Sequence, residues 1–292
     1  MPTSKTTALK RAAEFPVSTF SIDVDSASYA NLRRILNEGR LPPMDAVRVE
    51  EMINYFNYED MAAEQRDTPF GITTEVAANP WNPEDKASAY RHQSLAAQGS
   101  PKCPPPIWVF LVDVSGSMHS PDKLPLLKRS LRLLSRSLDA DDRVSLVVYA
   151  GASGVVLEPT PGNKRATIEQ ALQQLSAGGS TNGGAGIRLA YAKAREAFIE
   201  GGINRVILAT DGDFNVGTVN HQALIDLIKQ QRQAGIALTT LGFGGGNYND
   251  HLMEQLADQG DGNYAYIDSL MEARQGVGER AGCQPCRRWP RM

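Results

Sequence analysis

Cysteine is scarce, with three in 292 residues, and histidine nearly so, with four. Cys103 lies in a proline-rich stretch, and Cys283 and Cys286 form a lone C-x-x-C without the second ligand pair a zinc site needs. These read as stray thiols. His92, His221 and His251 show no ligand spacing and read as surface residues. No apolar run approaches the roughly 18 to 20 residues that a membrane-spanning helix requires. Residues 1–13 lack the apolar core of a signal peptide, so no export signal is expected in the chain as written. Charge of one sign is also missing. Against 33 acidic residues stand 30 basic ones, a net charge of −3, with no basic patch or stripe. That balance excludes nucleic acid as the main partner.

What remains is an ordinary globular composition, 41% apolar and 22% charged, long enough for one full α/β domain and a smaller piece. Residues 19–25 alternate like a strand, 28–37 read as a helix closed by Gly39, and 47–58 as a second helix. Another strand is expected at 70–77, followed by a turn at 79–83. This N-terminal accessory segment is taken as 1–86. Residues 87–106 show no periodicity and carry Pro101, Pro104, Pro105 and Pro106, which predicts a linker.

From Ile107 onward apolar strands alternate with amphipathic helices. Strands are predicted at 107–113, 143–150, 205–210, 236–242 and 263–267, and helices at 122–138, 164–175, 187–200, 220–233 and 250–259. Such alternation argues for a doubly wound, mainly parallel Rossmann-like α/β sheet over 107–270. The short strand 154–157 is reached too quickly from residue 150 for a crossover, so it reads as an antiparallel edge. Residues 271–292 lose all pattern. They read as an irregular tail, either a disordered end or, the favoured reading, the product of a truncation or frameshift.

The chemistry gathers in three loops. Asp113, Ser115 and Ser117 follow the first domain strand, and Asp211 follows the strand 205–210. In a doubly wound sheet these loops meet where strand order reverses, outside the carboxyl ends of the strands. Thr181, in the glycine-rich loop 178–186, can reach the same crevice. Two carboxylates and three hydroxyls make an all-oxygen shell, which suits Mg²⁺, Mn²⁺ or Ca²⁺ and not zinc. A shell with neutral hydroxyls as direct ligands leaves excess positive charge on the ion, so an anionic oxygen is sought from outside.

The order D-V-S-G-S, then the Thr of S-T-N-G-G, then the Asp of T-D-G-D resembles the metal-ion-dependent adhesion site of von Willebrand factor type A domains. All five positions match, and the resemblance covers 107–268. It implies that Ser115, Ser117 and Thr181 are hydroxyl ligands and that Asp113 and Asp211 act directly or through water. It implies a non-enzymatic interaction module in which the cation receives an Asp or Glu of a protein partner. S-T-F-S-I-D-V-D-S-A-S-Y at 18–29 and R-V-E-E-M-I-N-Y-F at 48–56 also resemble a segment that precedes this domain in a bacterial subfamily. Members of that subfamily carry an export or lipoprotein signal, which implies a periplasmic or membrane-anchored setting. The chain departs from them at Arg91-His92-Gln93, where relatives have an apolar strand.

Two rivals stay in view. One is a metal-dependent hydrolase or phosphotransfer enzyme with Asp113 or Ser115 as nucleophile, and it lacks a visible base. The other is a structural subunit with a vestigial site. Asp213 reads as a loop residue, His119 as a solvated rim residue, and 242–246 as a flexible strand-to-helix loop lacking the lysine of a phosphate cradle. Lys123, Lys128, Arg129, Arg132 and Arg136 on the helix 122–138 could meet an acidic partner, but the default reading is a solvated face opposite Leu127, Leu131 and Leu134.

Overall fold

A computed structural model describes residues 13–17, 25–56, 70–78, 86–94, 104–180, 182–212, 221–245 and 248–274, with the backbone alone at 70–74, 86–94 and 221. Six strands build the main sheet: β3 (Pro106–Asp113), β4 (Arg143–Tyr149), β5 (Ser153–Pro161), β6 (Ile203–Thr210), β7 (Ala237–Phe243) and β8 (Tyr264–Ile267). Their order is β5-β4-β3-β6-β7-β8, parallel throughout except for the antiparallel edge strand β5. Strand order therefore reverses between β3 and β6, and the crevice at their carboxyl ends is the natural ligand position.

Every residue of β3 is buried, which explains its unbroken apolar run. Successive side chains point to opposite faces of the sheet. Trp108, Phe110 and Val112 enter one core layer with helices α3 (Leu124–Ser135) and α4 (Arg165–Gln174). Ile107, Val109 and Leu111 enter the other with α5 (Gly183–Glu196), α6 (His221–Gln233) and α7 (Asp250–Gln259). Asp113 is the next odd residue, so its carboxylate continues the second face at the strand's end.

Helix α5 begins four residues before the expected position and takes in part of the predicted glycine loop. A Cβ at Gly186 would come within 2.7 Å of Tyr149 Cβ and 3.1 Å of Leu111 Cδ1. The glycine is therefore a packing device, letting α5 lie against β3 and β4 beside the crevice. The predicted strand at 19–25 lies outside the described residues except for Asp25, and the tail is described only to Arg274, which follows a short helix α8 (Leu270–Ala273).

Two helices from the N-terminal segment, α1 (Ala27–Asn37) and α2 (Val49–Tyr55), belong to the same compact unit as the sheet. Helix α1 runs along β8, and Asp25 just before it accepts the backbone N–H of Tyr264 at 3.1 Å. Arg33 on α1 grips Asp268 through two parallel bonds of 2.7 and 2.6 Å and reaches Glu272 at 3.0 Å and the Tyr55 hydroxyl at 2.7 Å. Arg48, just before α2, pairs with Glu51 and with Asp250 on α7.

Residues 56–103 form a second unit, in which β1 (Phe70–Ala78) pairs antiparallel with β2 (Lys86–Ser94). The expected linker is thus a strand over its first eight residues. Its polar run Arg91-His92-Gln93 faces Thr73, Ile72 and Gly71 in the ladder, and backbone hydrogen bonds carry the pairing where apolar alternation is absent. Among the described residues, no helix is long and apolar enough to cross a membrane.

Candidate metal centre

Asp113 ends β3 fully buried. One carboxylate oxygen accepts the Ser115 backbone N–H at 2.8 Å, and the other accepts the Tyr149 hydroxyl at 3.0 Å and the Thr210 hydroxyl at 2.9 Å. Burial raises the Asp113 carboxyl above its usual range, a rise that hydrogen bonds to Ser115 and Thr210 oppose. Burial first, and the carboxylate next to it, push the Tyr149 phenol well up, so it stays protonated and donates. A carboxylate held this way, without solvent, gains from a cation placed beside it.

After Asp113 the chain leaves the sheet through Ser115 and enters a short 3₁₀ turn, Gly116–His119. Ser115 is 2% exposed, whereas Ser117 lies open to solvent. Their Oγ atoms stand 3.0 Å apart. An octahedral ion with metal–oxygen distances of roughly 2.0–2.1 Å has adjacent ligands about 2.9 Å apart, so the two hydroxyls are spaced as neighbouring corners. That spacing, and the buried carboxylate behind it, fit a hard divalent cation.

The glycine-rich loop is tied to this turn by backbone. Gly178 N–H donates to Val114 O at 2.7 Å, and Gly116 N–H donates to Gly179 O at 3.0 Å. These bonds bring the loop that carries Thr181 beside Ser115 and Ser117, while Thr181 itself lies outside the described residues, as does Asp213. Asp211 follows β6 and is 4% exposed. Gly212 after it has φ +87° and donates its N–H to the Thr210 hydroxyl at 3.2 Å, turning the chain sharply at the strand's end. A side chain there would also strike Asn249 N at 2.6 Å.

Three partners of the site were not anticipated. Tyr149 stands directly opposite Asp113 in the β3–β4 register, and Thr210 ends the strand on the other side, so both could be found once strand order was known. Lys123 precedes α3 instead of lying on its solvated face. Its ammonium donates to Asp211 Oδ2 at 2.9 Å and to Ser117 O at 3.0 Å. Gly244, with φ +70°, leaves room for the lysine stem, since a Cβ there would meet Lys123 Cε at 2.4 Å. His119 is exposed at the rim. Among the described residues, no three His, Cys, Asp or Glu side chains converge on a point, so a cation in this crevice depends on hydroxyl oxygens.

Residues 109–279 match the von Willebrand factor type A domain family, and residues 3–87 match a second family described as von Willebrand factor. Among curated proteins the chain is 46% identical over 274 residues to the uncharacterized protein YfbK of Escherichia coli, covering 91% of this chain and 47% of that one. The chain therefore spans about half the length of this relative. Among solved structures it resembles the von Willebrand factor type A protein from Catenulispora acidiphila, with a TM-score of 0.51 at 19% identity over 71% of this chain and 47% of that one. An aerotolerance-related membrane protein from Bacteroides fragilis gives a TM-score of 0.51 at 23% identity, covering 60% of this chain and 97% of that one. Both structural likenesses concern the fold.

Proposed function

The chain belongs to the von Willebrand factor type A domain family, and from that premise we propose that it is a protein-interaction module in which a divalent cation at the β3–β6 crevice receives an acidic side chain of a partner. Domains of this family are generally metal-dependent interaction modules. In this reading Ser115, Ser117 and Thr181 supply hydroxyl oxygens, Asp113 and Asp211 supply carboxylates directly or through water, and the ion is Mg²⁺, with Mn²⁺ or Ca²⁺ as substitutes. The segment 107–270 is the working module, and 1–86 is accessory to it.

The observation that carries the reading is the 3.0 Å pair of hydroxyls beside a buried Asp113 that accepts one hydrogen bond on Oδ1 and two on Oδ2, leaving capacity on Oδ1. Neutral ligands leave the ion electron-poor, and a carboxylate from outside completes the shell. The enzymatic alternative draws no support from the geometry. Ser115 Oγ is bonded to another hydroxyl, where a nucleophile needs a base.

The direct test is linkage. Mn²⁺ affinity, measured by calorimetry with and without a short acidic peptide, is expected to rise at least fivefold when the peptide is present. Equal affinity in both conditions would count against an open coordination position.

Lys123 gives a separate handle on the same site. Its fixed positive charge competes for Asp211 and repels a nearby cation. Lys123→Met is expected to raise Mn²⁺ affinity about tenfold. Weaker binding would mean that the ammonium positions Asp211 for the ion instead of opposing it.

A further inference from the structure

Beside the crevice runs a groove of about 500 Å³ between the start of α3 and the end of α4, within the size range of ligand sites. It is continuous with the candidate metal centre at both walls. Met118 and His119 follow Ser117 directly, and Ser176 and Ala177 lead into Gly178, whose N–H is bonded to Val114 O. The floor is apolar, from Met118, Leu124, Pro125 and Leu175. The rim is cationic, from Lys128, Arg129 and Arg132, and among the described residues no carboxylate lines it.

These cations are not equally engaged. Arg132 pairs with Glu169 at 2.8 Å. Lys128 donates to the carbonyls of Gln173 at 3.0 Å and Leu175 at 2.9 Å, closing the end of α4 without meeting an anion. Arg129 is exposed and gives only its Nε–H to Pro125 O at 3.3 Å. In a chain of net charge −3, this is a local positive patch over an apolar floor. Burial, and then Arg132, push the Lys128 amine below its usual value, in keeping with a charge that an incoming carboxylate would relieve.

Resting on the function proposed above, we infer that this groove seats the partner residues flanking the metal-bound carboxylate, and that the partner is an extended acidic segment. Beside its metal-binding Asp or Glu it carries an apolar residue for the floor and a second carboxylate for Arg129 and Lys128. Those cations lie four to five residues into α3, about 6 to 8 Å along the helix axis. An extended peptide rises roughly 3.3 Å per residue, so that length of helix alone takes two or three residues to cross, and the second acid lies at least that far from the first.

The test uses the full chain and a positional-scanning library of decapeptides, each with a fixed central Asp, in Mg²⁺ and in chelator. Expected is Mg²⁺-dependent retention with enrichment of Leu, Ile or Phe and of a second Asp or Glu at one preferred spacing, two or more residues from the centre. Arg129→Glu, at an exposed position, is expected to erase the second-acid preference and weaken the best peptide at least tenfold, while Mn²⁺ affinity measured with the metal alone stays within twofold. Metal-dependent retention with no flank preference, or with a preference unchanged in Arg129→Glu, overturns the groove assignment and leaves the proposed function standing. Arg129-dependent capture of phosphatidylserine vesicles with no peptide preference would give the groove to a lipid surface and also overturn it. Absence of any Mg²⁺-dependent retention contradicts the proposed function, and the inference falls with it.

Discussion

Asp113→Asn is expected to stabilise the protein in chelator and to remove its affinity for divalent cations, two effects of opposite sign from one atom change. The buried carboxylate of Asp113 is displaced upward in pKa, so the folded chain holds its proton more tightly than the unfolded chain does. The contribution of this group is therefore fully favourable below its unfolded pKa, near pH 4, and is lost as pH rises through the folded value. Wild-type stability in chelator should carry that decline, and the Asn variant should lack it.

The amide can still accept from Ser115 N–H, and its NH₂ can donate to the Tyr149 and Thr210 hydroxyls, which accept as well as donate. With the charge removed, a gain of about 1 kcal/mol or more at neutral pH is expected, a rise of roughly 2 to 4 °C in Tm. Mg²⁺ reverses the order. At a hundredfold excess over Kd the wild type gains about 2.7 kcal/mol, while the variant, with affinity lowered at least ~100-fold, gains almost nothing. Thermal melts from pH 4 to about 8, with Mg²⁺ and with chelator, read both effects. A variant that is less stable in chelator and still responds to Mg²⁺ would refute the role given to Asp113.

Arg48→Met is expected to produce the largest loss of stability away from the crevice. Glu51 is fully buried, with one oxygen accepting Ser28 N–H at 2.8 Å and the other held by Arg48. The same guanidinium binds Asp250 and lies 3.7 Å from Glu254 and 5.9 Å from the centre of the Tyr264 ring. Removing the cation leaves Glu51 and Asp250 without a counter-charge, next to Glu254, whose carboxyl burial already pushes up to about 7. Breaking a buried pair from one side costs about 3 to 5 kcal/mol, or roughly 10 °C in Tm for a unit of this size. The triple change Arg48→Met, Glu51→Gln and Asp250→Asn should recover most of that loss, because neutral partners no longer repel. A single variant melting within 2 °C of wild type would show that the α1–α2 segment is not held to the sheet through these charges.

This network also marks where the sequence was hard to read. The strand β3 is plain from its apolar run, and the expected bounds Asp250–Gln259 match α7, whose start the Asn249 side chain caps in the structure. The doubly wound sheet follows from the same periodicities, and its antiparallel edge from the connection after residue 150, too short for a crossover. Helix α2 is shorter than expected, and the reason it docks is charge pairing with α7 some two hundred residues later, which no local pattern reveals. Likewise β2 was hidden behind Arg91-His92-Gln93, since backbone pairing leaves no mark on hydropathy.

Within the crevice the motif residues Asp113, Ser115, Ser117 and Asp211 come to the ends of the neighbouring strands β3 and β6, as the spacing led one to expect. Helical spacing puts Lys123 on the face opposite Leu127, Leu131 and Leu134, but α3 begins only at Leu124, and the turn Gly116–His119 brings the lysine over Asp211. Tyr149 and Thr210 look like ordinary strand ends until register sets them on either side of Asp113.

In the proposed site five oxygen-bearing side chains from three loops hold one divalent ion, with a coordination position left for a partner. A crystal of the full chain grown with Mn²⁺ and measured at the manganese absorption edge tests it most directly. One strong anomalous peak is expected, bonded to the hydroxyls of Ser115, Ser117 and Thr181, with Asp113 and Asp211 bound directly or through water and a carboxylate or solvent oxygen in the remaining place. No peak in that crevice at saturating Mn²⁺, or a peak that Ser115→Ala leaves in place, would contradict it.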